Sequence, residues 1–413
     1  MECIVAPRGR GPDLKGLTMN LRVLAGLGVL VVLLGALAYT TFSGRNEGIR
    51  IGFVTTLSGG SAAIGADMRD AFELALDHMD RKMAGHPVTV LYEDDAQNPD
   101  VGLQKTERLV QRDGVQFVTG YIWSNVLLAS YRAATDRGVF VVSANAGPSE
   151  LAGKQCTPDF FSTSWQNDQT PMAMGEVLSR RGVKSLYVLA PNYAAGRNMV
   201  AGLKRTFRGQ IVAEEYTQWP DQIDFAAELA KIRAAQPEAV WFFFPGNYGT
   251  QFFKQYAQAG LMGQIPLFSS FSIDHLNLPQ IGELVAGSLL TQHWGPDLAY
   301  PVNRKFVDDF KQRFGRTPSF YAAQAYDSAL LIRTALETTR GDVENHDALR
   351  NALARATFES VRGPFKLGGN HFPVQSFYLY DVVKSGNAYD MRQLEKVYTD
   401  HTDPYAVDCA MAR

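Results

Sequence analysis

Small hydroxyl and amide residues follow the predicted strands of this 413-residue chain, at the points where α/β proteins usually bind ligands. They form three stretches, which are TTLSGGSAAIG (55–65), TGYIWSN (119–125) and SANAGPS (143–149). Each stretch leads into a predicted helix, whose first backbone N–H groups carry partial positive charge and suit a carboxylate. Serine and asparagine also cap helices in such places, so the sequence leaves capping and ligand binding open.

The stretch AVWFFFPGNYGTQFF (239–253) has the pattern of a buried strand that ends near Pro245 and is followed by a helix. This pattern places Asn247 and Tyr248 at the carboxyl end of the strand. Neither residue carries a charge. We therefore expect this part of the site to be polar and aromatic but neutral.

The usual catalytic signatures are absent from the sequence, which contains no G-x-S-x-G, Walker loop, H-E-x-x-H or C-x-x-C. His275 and His293 fall in predicted strand-end loops, where a lone histidine is more often a surface or hydrogen-bonding residue than a base. No group of residues has metal-ligand spacing. We therefore expect no enzymatic activity, no metal and no cofactor.

Strand-like and helix-like segments alternate from residue 49 onward, which predicts an α/β fold with parallel sheets covered on both faces. A second series begins near Gln169, so the chain is expected to hold two similar lobes. Near the carboxyl end, GPFKLGGNHF and QSFYLYDVVKSG are predicted to form a hairpin. The composition is 46% hydrophobic and 20% charged, with a net charge of -2, which gives no electrostatic basis for binding nucleic acid.

The amino terminus has the layout of a secretory signal peptide, predicted here over residues 1–38. Arg22 precedes the apolar run VLAGLGVLVVLLGALA (23–38), which ends in small residues. Met19 is the start expected from this layout. The alternative is an uncleaved membrane anchor, because the run approaches the length of a spanning helix.

Export to an oxidising compartment changes how the three cysteines are interpreted. Cys3 precedes the apolar run, which leaves Cys156 and Cys409 as an even pair. We predict a disulfide between them. Two free buried thiols are the alternative.

Over residues 49–390 the chain resembles the type I periplasmic binding proteins of ATP-driven importers, in the branch of the leucine/isoleucine/valine-binding proteins. The resemblance rests on LSGGSAAIGADMRDAFELALDHM, YEDDAQNPDVGLQKTERLV, FVTGYIWSN, FFSTSWQNDQTPMAMGEVL, YVLAPNYAAGRNMVAGLKR and DFAAELAKIRAAQPEAVWFF. It implies two doubly wound parallel-sheet lobes joined by a three-segment hinge. The expected lobes are 49–166 plus 296–370 and 167–295 plus 371–413. A periplasmic location, permease partners and a monomeric state are also implied.

The resemblance further implies a site between the lobes. Ser124, Asn125, Ala146 and Gly147 match the positions that hold the ligand's carboxylate in the family, and Tyr193 matches its second-lobe tyrosine. Amino-acid binders of the family have an acidic residue for the ligand's ammonium where this chain has Tyr248.

An ammonium without a counter-charge is costly to bury, so an amino acid is a poor ligand here. Sequences with FFSTSWQND and APNY resemble binders of aromatic carboxylates such as benzoate, hydroxybenzoate or cinnamate, and we expect that class. The alternatives are amides, urea or branched-chain amino acids, or a sensory ligand-binding subunit.

The predicted ligand-binding set combines the strand-end residues with nearby aromatic side chains, some of which belong to the core in the alternative interpretation. Asp168 is predicted to cap the helix that Pro171 opens, rather than to bind ligand. The complete set is Ser58, Trp123, Ser124, Asn125, Asn145, Ala146, Gly147, Trp165, Gln166, Asn167, Tyr193, Asn247, Tyr248, Phe271 and Trp294.

Overall fold

The computed structural model describes residues 48–412, so the predicted signal peptide at 1–38 and its expected start lie outside the described residues. The first sheet has six strands in the order β2-β3-β1-β4-β5-β6. They are β1 (Ile49–Thr55), β2 (Lys82–Met83), β3 (His86–Asp94), β4 (Phe117–Gly120), β5 (Phe140–Ser143) and β6 (Phe160–Ser162). All neighbours are parallel except β2 and β3. Because β1 lies between β3 and β4, the strand order reverses at β1, which creates a crevice at its carboxyl end.

Four helices belong to this part of the chain, which are α1 (Ala62–Asp77), α2 (Pro99–Gln111), α3 (Ser124–Thr135) and α4 (Ser149–Ala152). Helix α1 buries Met68, Phe72 and Leu76, which recur every four residues and form one apolar stripe. Helix α2 begins at a typical cap, where the Asn98 side chain accepts from the N–H groups of the first turn and proline occupies the first helical position. A 3-10 turn over Gly59–Ser61 precedes α1.

The second series comprises α5 (Gln169–Arg180), β7 (Ser185–Pro191), α6 (Ala194–Thr206), β8 (Gln210–Thr217), α7 (Ala226–Ala235), β9 (Ala239–Phe242), α8 (Asn247–Gln258), β10 (Leu267–Ser270), α9 (Leu278–Ile281) and β11 (Leu289–Gln292). It is followed by α10 (Pro301–Phe314), α11 (Phe320–Thr339), α12 (His346–Ala354), β12 (Phe358–Ser360), β13 (Gly363–Phe365), β14 (Gln375–Ser385) and β15 (Ala388–His401). The second sheet has the order β15-β14-β11-β10-β9-β7-β8, and its first five strands in sequence are parallel.

The predicted class, two doubly wound lobes joined by three chain crossings, is confirmed. The chain leaves the first sheet between residues 162 and 169, returns between 292 and 301, and crosses again between 365 and 375. Helix α11 packs on α1, which assigns the segment after the second crossing to the first lobe. The residue boundaries expected for the two lobes stay a prediction.

The predicted hairpin near the carboxyl end is wrong in its pairing. Strand β14 pairs antiparallel with β15, whereas β13 pairs with β12. The physical reason is the two-residue connection after Ser385, where Gly386 has a positive φ of 60° and closes a tight turn between adjacent strands. Residues 388–401 therefore form the edge strand of the second sheet.

Cys156 and Cys409 are joined by a disulfide with a Cα–Cα distance of 5.7 Å. Cys156 lies in the loop that precedes β6 of the first sheet, and Cys409 follows β15 of the second sheet. The tail is also held by Tyr405, whose hydroxyl donates to Oδ2 of Asp168 at 3.1 Å. The disulfide is therefore a covalent link between the two sheets in addition to the three crossings.

None of the helices between residues 48 and 412 has the length and apolar character needed to cross a membrane. In the same range, His, Cys, Asp and Glu side chains form no group of three or more that could hold a metal ion.

Candidate ligand-binding site

A cavity lies between the two lobes at the carboxyl ends of both sheets. In the first lobe it is lined by the loops after β4 and β5, and in the second by those after β7, β9 and β10. These loops flank the reversals of strand order, which is where ligands bind in doubly wound sheets.

Aromatic rings form two walls of this cavity. Trp165 of the first crossing stacks on Phe271 at 4.1 Å between ring centroids, with 24° between the planes. On the other side, the ring of Tyr193 stacks on Trp219 at 4.4 Å, and Trp123 meets the same indole at 5.1 Å in an edge-on geometry. A flat ligand ring that packs against such side chains gains about 0.5 to 1.5 kcal/mol per aromatic pair beyond area burial.

The amino terminus of α3 forms a polar corner of the cavity. No side chain caps this helix, and its first residue, Ser124, lines the cavity. The first N–H groups of a helix have no partner within the helix. The Ser124 hydroxyl accepts from Nδ2 of Asn167 at 3.1 Å, which leaves its own proton free to be donated. A carboxylate placed here would receive donors from the backbone and from the hydroxyl.

Helix α6 of the second lobe begins at the same cavity and also lacks a side-chain cap. Its second residue, Ala195, lines the cavity. Helices α3 and α6 contact each other across the lobes. Two positive helix ends therefore approach one space from opposite sides, which favours an anion over a cation.

The cavity lining contains no charged side chain within the described part of the chain. Two tyrosine hydroxyls supply further polar groups, those of Tyr193 and Tyr321. Burial raises the pKa of both hydroxyls, so both are protonated at neutral pH and can donate hydrogen bonds. The arrangement can bind a small anion with a flat apolar body.

The structure brings together eight residues of the predicted set and places the other seven elsewhere. The eight that line the cavity are Trp123, Ser124, Asn145, Ala146, Trp165, Asn167, Tyr193 and Phe271. The N–H of Ala146 donates to the backbone oxygen of Tyr121 at 2.9 Å, so it is not free for a ligand.

Three of the remaining seven are buried outside the cavity. Trp294 lies in the core, where its Nε1 donates to Oδ1 of Asn303 at 2.8 Å. Gln166 donates from Nε2 to Ser149 and Asp168, which turns its amide away from the cavity. A Cβ at Gly147 would lie 1.9 Å from a backbone oxygen of the first crossing, so this glycine permits close packing of two chain segments rather than ligand contact.

The other four lie towards the entrance of the cleft. Ser58 and Asn247 are exposed, at the starts of the 3-10 turn and of α8. Asn125 is half-buried in the first turn of α3, and its Oδ1 has no hydrogen-bond partner among the described residues. Tyr248 lies behind Trp219, at 4.9 Å between ring centroids, and its hydroxyl accepts from Gln97 of the first lobe at 3.2 Å. All four were predicted from strand-end positions, and the resemblance to the family also implied Asn125 and Tyr248. Strand ends reach the entrance as well as the cavity.

Asp168 does not cap α5 with its side chain, so that prediction is wrong. Its Oδ1 accepts from Ser149 at 3.0 Å and its Oδ2 from Arg205 at 3.0 Å. The carboxylate is fully buried and ties α4 of the first lobe to α6 of the second. This linking role depends on Ser149 and Arg205, which are distant from Asp168 in sequence, so the local pattern did not indicate it.

Sequence reasoning missed six lining residues, which are Ile122, Ala195, Met199, Phe243, Pro245 and Tyr321. Ile122, Ala195, Phe243 and Pro245 adjoin or immediately follow strand ends, so the same rule could have found them. Tyr321 lies at the start of α11, which follows no strand. Trp219 follows β8 and carried a strand-end signal that was overlooked.

His293 is neither a surface residue nor a hydrogen-bonding one, contrary to the prediction. It is buried beside Trp165 at 5.0 Å between ring centroids, and neither ring nitrogen has a hydrogen-bond partner among residues 48–412. Burial lowers its pKa well below the usual value, so the ring is neutral. His275 is partly buried, and its Nε2 lies 2.9 Å from Asp390.

Two α/β lobes with three crossings and an anion-suited cavity between them define a two-lobed solute-binding protein. The periplasmic binding protein family model matches residues 48–387, and the chain belongs to that family.

Similar proteins include the Leu/Ile/Val-binding protein homolog 6 of Brucella suis biovar 1 (strain 1330), 26% identical over 365 residues, which are 86% of this chain and 93% of that protein. The solute-binding protein of an ABC transporter from R. palustris, solved with benzoate, is 29% identical with a TM-score of 0.82. The match covers 88% of this chain and 100% of that one. A solute-binding protein from Rhodopseudomonas palustris BisB5, solved with 3,4-dihydroxybenzoic acid, is 27% identical with a TM-score of 0.81, over 86% of this chain and 98% of that one.

Proposed function

We propose that this protein is the periplasmic receptor of an ABC importer and that it closes around a small aromatic carboxylate. The observation that carries the proposal is the uncharged, ring-lined cavity at the start of α3 and α6. The similar solute-binding proteins bound to benzoate and to 3,4-dihydroxybenzoic acid support it. The receptor binds and releases its ligand unchanged and delivers it to membrane permease subunits.

A branched-chain amino acid is the second candidate, because the relatives matched by sequence are named Leu/Ile/Val-binding. Such a ligand brings a buried ammonium, which costs several kcal/mol unless a carboxylate or enough oxygen acceptors compensate it. No carboxylate is among the lining residues that the structure describes. This difference favours the aromatic acid.

Thermal unfolding with a panel of ligands tests the proposal. We expect benzoate, 4-hydroxybenzoate or 3,4-dihydroxybenzoate to raise the Tm, because a ligand that binds only the folded state stabilises it by mass action. At 100 times its Kd, such a ligand contributes about 2.7 kcal/mol. Leucine, isoleucine, valine, urea and acetamide are tested in the same way as the alternative ligands. Stabilisation by leucine without stabilisation by any benzoate would contradict the proposal.

The two tyrosine hydroxyls predict a preference among aromatic acids. If the carboxylate binds at Ser124, a ring hydroxyl on the opposite side can pair with Tyr193 and Tyr321. We expect Tyr321→Phe to weaken binding of 4-hydroxybenzoate about fivefold and of benzoate less than twofold, since a lost hydrogen bond to a neutral group costs about 1 kcal/mol. Titration calorimetry with both ligands measures the difference.

The matched control for this experiment is Tyr326→Phe. Tyr326 lies on the same helix, but its hydroxyl bonds to Nδ1 of His78 at 2.8 Å, away from the cavity. This variant should leave both affinities unchanged. If Tyr321→Phe lowers the affinities for benzoate and for 4-hydroxybenzoate equally, the Tyr321 hydroxyl contacts the ligand's carboxylate and not its ring hydroxyl.

A further inference from the structure

The turn that follows β3 connects the aromatic wall of the cavity to the entrance of the cleft. On the cavity side, Nε1 of Trp123 donates to the Thr56 hydroxyl at 2.8 Å. That hydroxyl donates to Oδ1 of Asp95 at 2.6 Å. The same carboxylate oxygen accepts from the backbone N–H of Gln97 at 2.8 Å. A continuous set of hydrogen bonds therefore runs from a cavity-lining indole to Gln97.

On the entrance side, the side chain of Gln97 joins the two lobes. Its Oε1 accepts from the Ser61 hydroxyl at 2.9 Å, within the first lobe. Its Nε2 donates to the hydroxyl of Tyr248 at 3.2 Å, at the start of α8 in the second lobe. The lobes are close at this point, because a Cβ at Gly246 would lie 3.0 Å from the Ile64 side chain. The Gln97–Tyr248 hydrogen bond can form only when the cleft is closed to this degree.

The turn itself has an uncommon backbone conformation. Ala96 and Gln97 are two consecutive non-glycine residues with positive φ, at 49° and 61°. Each such residue costs of order 1 kcal/mol, and this strain persists only where the surroundings fix it. Here the carboxylates of Asp94 and Asp95 accept from the N–H groups of these two residues and hold the turn.

Asp95 is fully buried, and its Oδ2 has no hydrogen-bond partner in the described range. Burial raises the pKa of its carboxyl to about 6. Burying this carboxylate costs free energy. Its Oδ1 nevertheless accepts hydrogen bonds from the Thr56 hydroxyl and from the N–H of Gln97 in the turn.

The aromatic residues complete the connection on the second-lobe side. The ring of Tyr248 packs on Trp219, which stacks on Tyr193 and meets Trp123 edge-on. Trp123 is thus connected to Gln97 through hydrogen bonds, and Trp219 is connected to Tyr248 through ring contact. A ligand that fixes the rings of Trp123 and Tyr193 therefore also helps to fix Gln97 and Tyr248, the two partners of the entrance hydrogen bond.

We propose that Gln97 is a positioning residue that couples ligand contact in the cavity to closure of the cleft, through Thr56 and Asp95 on one lobe and Tyr248 on the other. The inference depends on the proposed function only for the identity of the ligand. Gln97 does not line the cavity, so its effect falls on how long the closed state lasts and not on recognition of the ligand.

A double-mutant cycle with stopped-flow kinetics tests the inference, using benzoate and 4-hydroxybenzoate as ligands and tryptophan fluorescence as the signal. Gln97→Ala is expected to raise koff about tenfold and to change kon less than twofold, because the lost hydrogen bond exists only in the closed state. Tyr248→Phe removes the other partner and should do the same. The double variant should be no worse than either single variant, since both changes remove one interaction.

Gln104→Ala is the matched control, because Gln104 is an exposed glutamine on α2 of the same lobe. It should leave koff unchanged. A lower Tm with unchanged koff in Gln97→Ala would show a merely structural role and overturn the inference, as would additive effects in the cycle. If the wild type binds neither benzoate, the proposed ligand class fails. The same cycle is then run with whichever of leucine, isoleucine or valine raises the Tm of the wild type, and a koff that is equal in Gln97→Ala and in the wild type overturns the inference.

Discussion

Replacing both Cys156 and Cys409 by serine is expected to lower the free energy of unfolding by about 4 kcal/mol, because the disulfide closes a very long loop. The two cysteines are 253 residues apart in sequence. Cross-linking removes conformations from the unfolded chain, and this effect grows with the logarithm of loop length. Denaturant unfolding of the oxidised wild type and of the double serine variant measures the difference.

The control for the cysteine experiment is reductant. Adding it should lower the stability of the wild type towards that of the double serine variant and leave the variant unchanged. The tail around Tyr405 should also become sensitive to protease, since it would then be held by non-covalent contacts such as those of Tyr405 with Asp168 and of Asp403 with Asn370. Equal denaturation midpoints for the oxidised wild type and the variant would contradict the prediction.

Ser124→Asp is expected to weaken binding of an aromatic carboxylate by at least about 100-fold, because two like charges a few ångströms apart in a partly buried site repel by several kcal/mol. The substituted residue is the first of α3, where a carboxylate is favourable for the helix. The fold should therefore tolerate the change, and the effect should appear in the affinity. Titration calorimetry with benzoate measures it.

Ser124→Asn separates charge from size in this experiment. Asparagine has nearly the shape of aspartate and no charge, so we expect it to weaken binding about tenfold at most, by displacement of the hydroxyl donor and some crowding. A similar loss in both variants would show that the effect is steric. Unchanged affinity in Ser124→Asp would remove the start of α3 from the ligand site.

The sequence determined the architecture, because the architecture follows from local periodicity. Short apolar strands alternating with amphipathic helices can bury their surfaces only as layered α/β lobes. Cysteine count and the predicted signal peptide sufficed to predict the pair Cys156 and Cys409. The strand-end rule reached Ser124 and Asn145, because loops at the carboxyl edge of a parallel sheet must lie near one another. The resemblance to the family supplied Tyr193.

Tertiary structure decided which strand-end residues face the cavity and which face the entrance or the core. Tyr193 and Tyr248 have the same kind of local sequence, yet the first lines the cavity and the second meets Gln97 at the entrance. Tyr321 reached the cavity from α11, which no strand precedes, and Trp294 turned into the core. Side-chain direction at such points depends on how two lobes pack across three crossings, and contacts of that range leave no periodic signal in the chain.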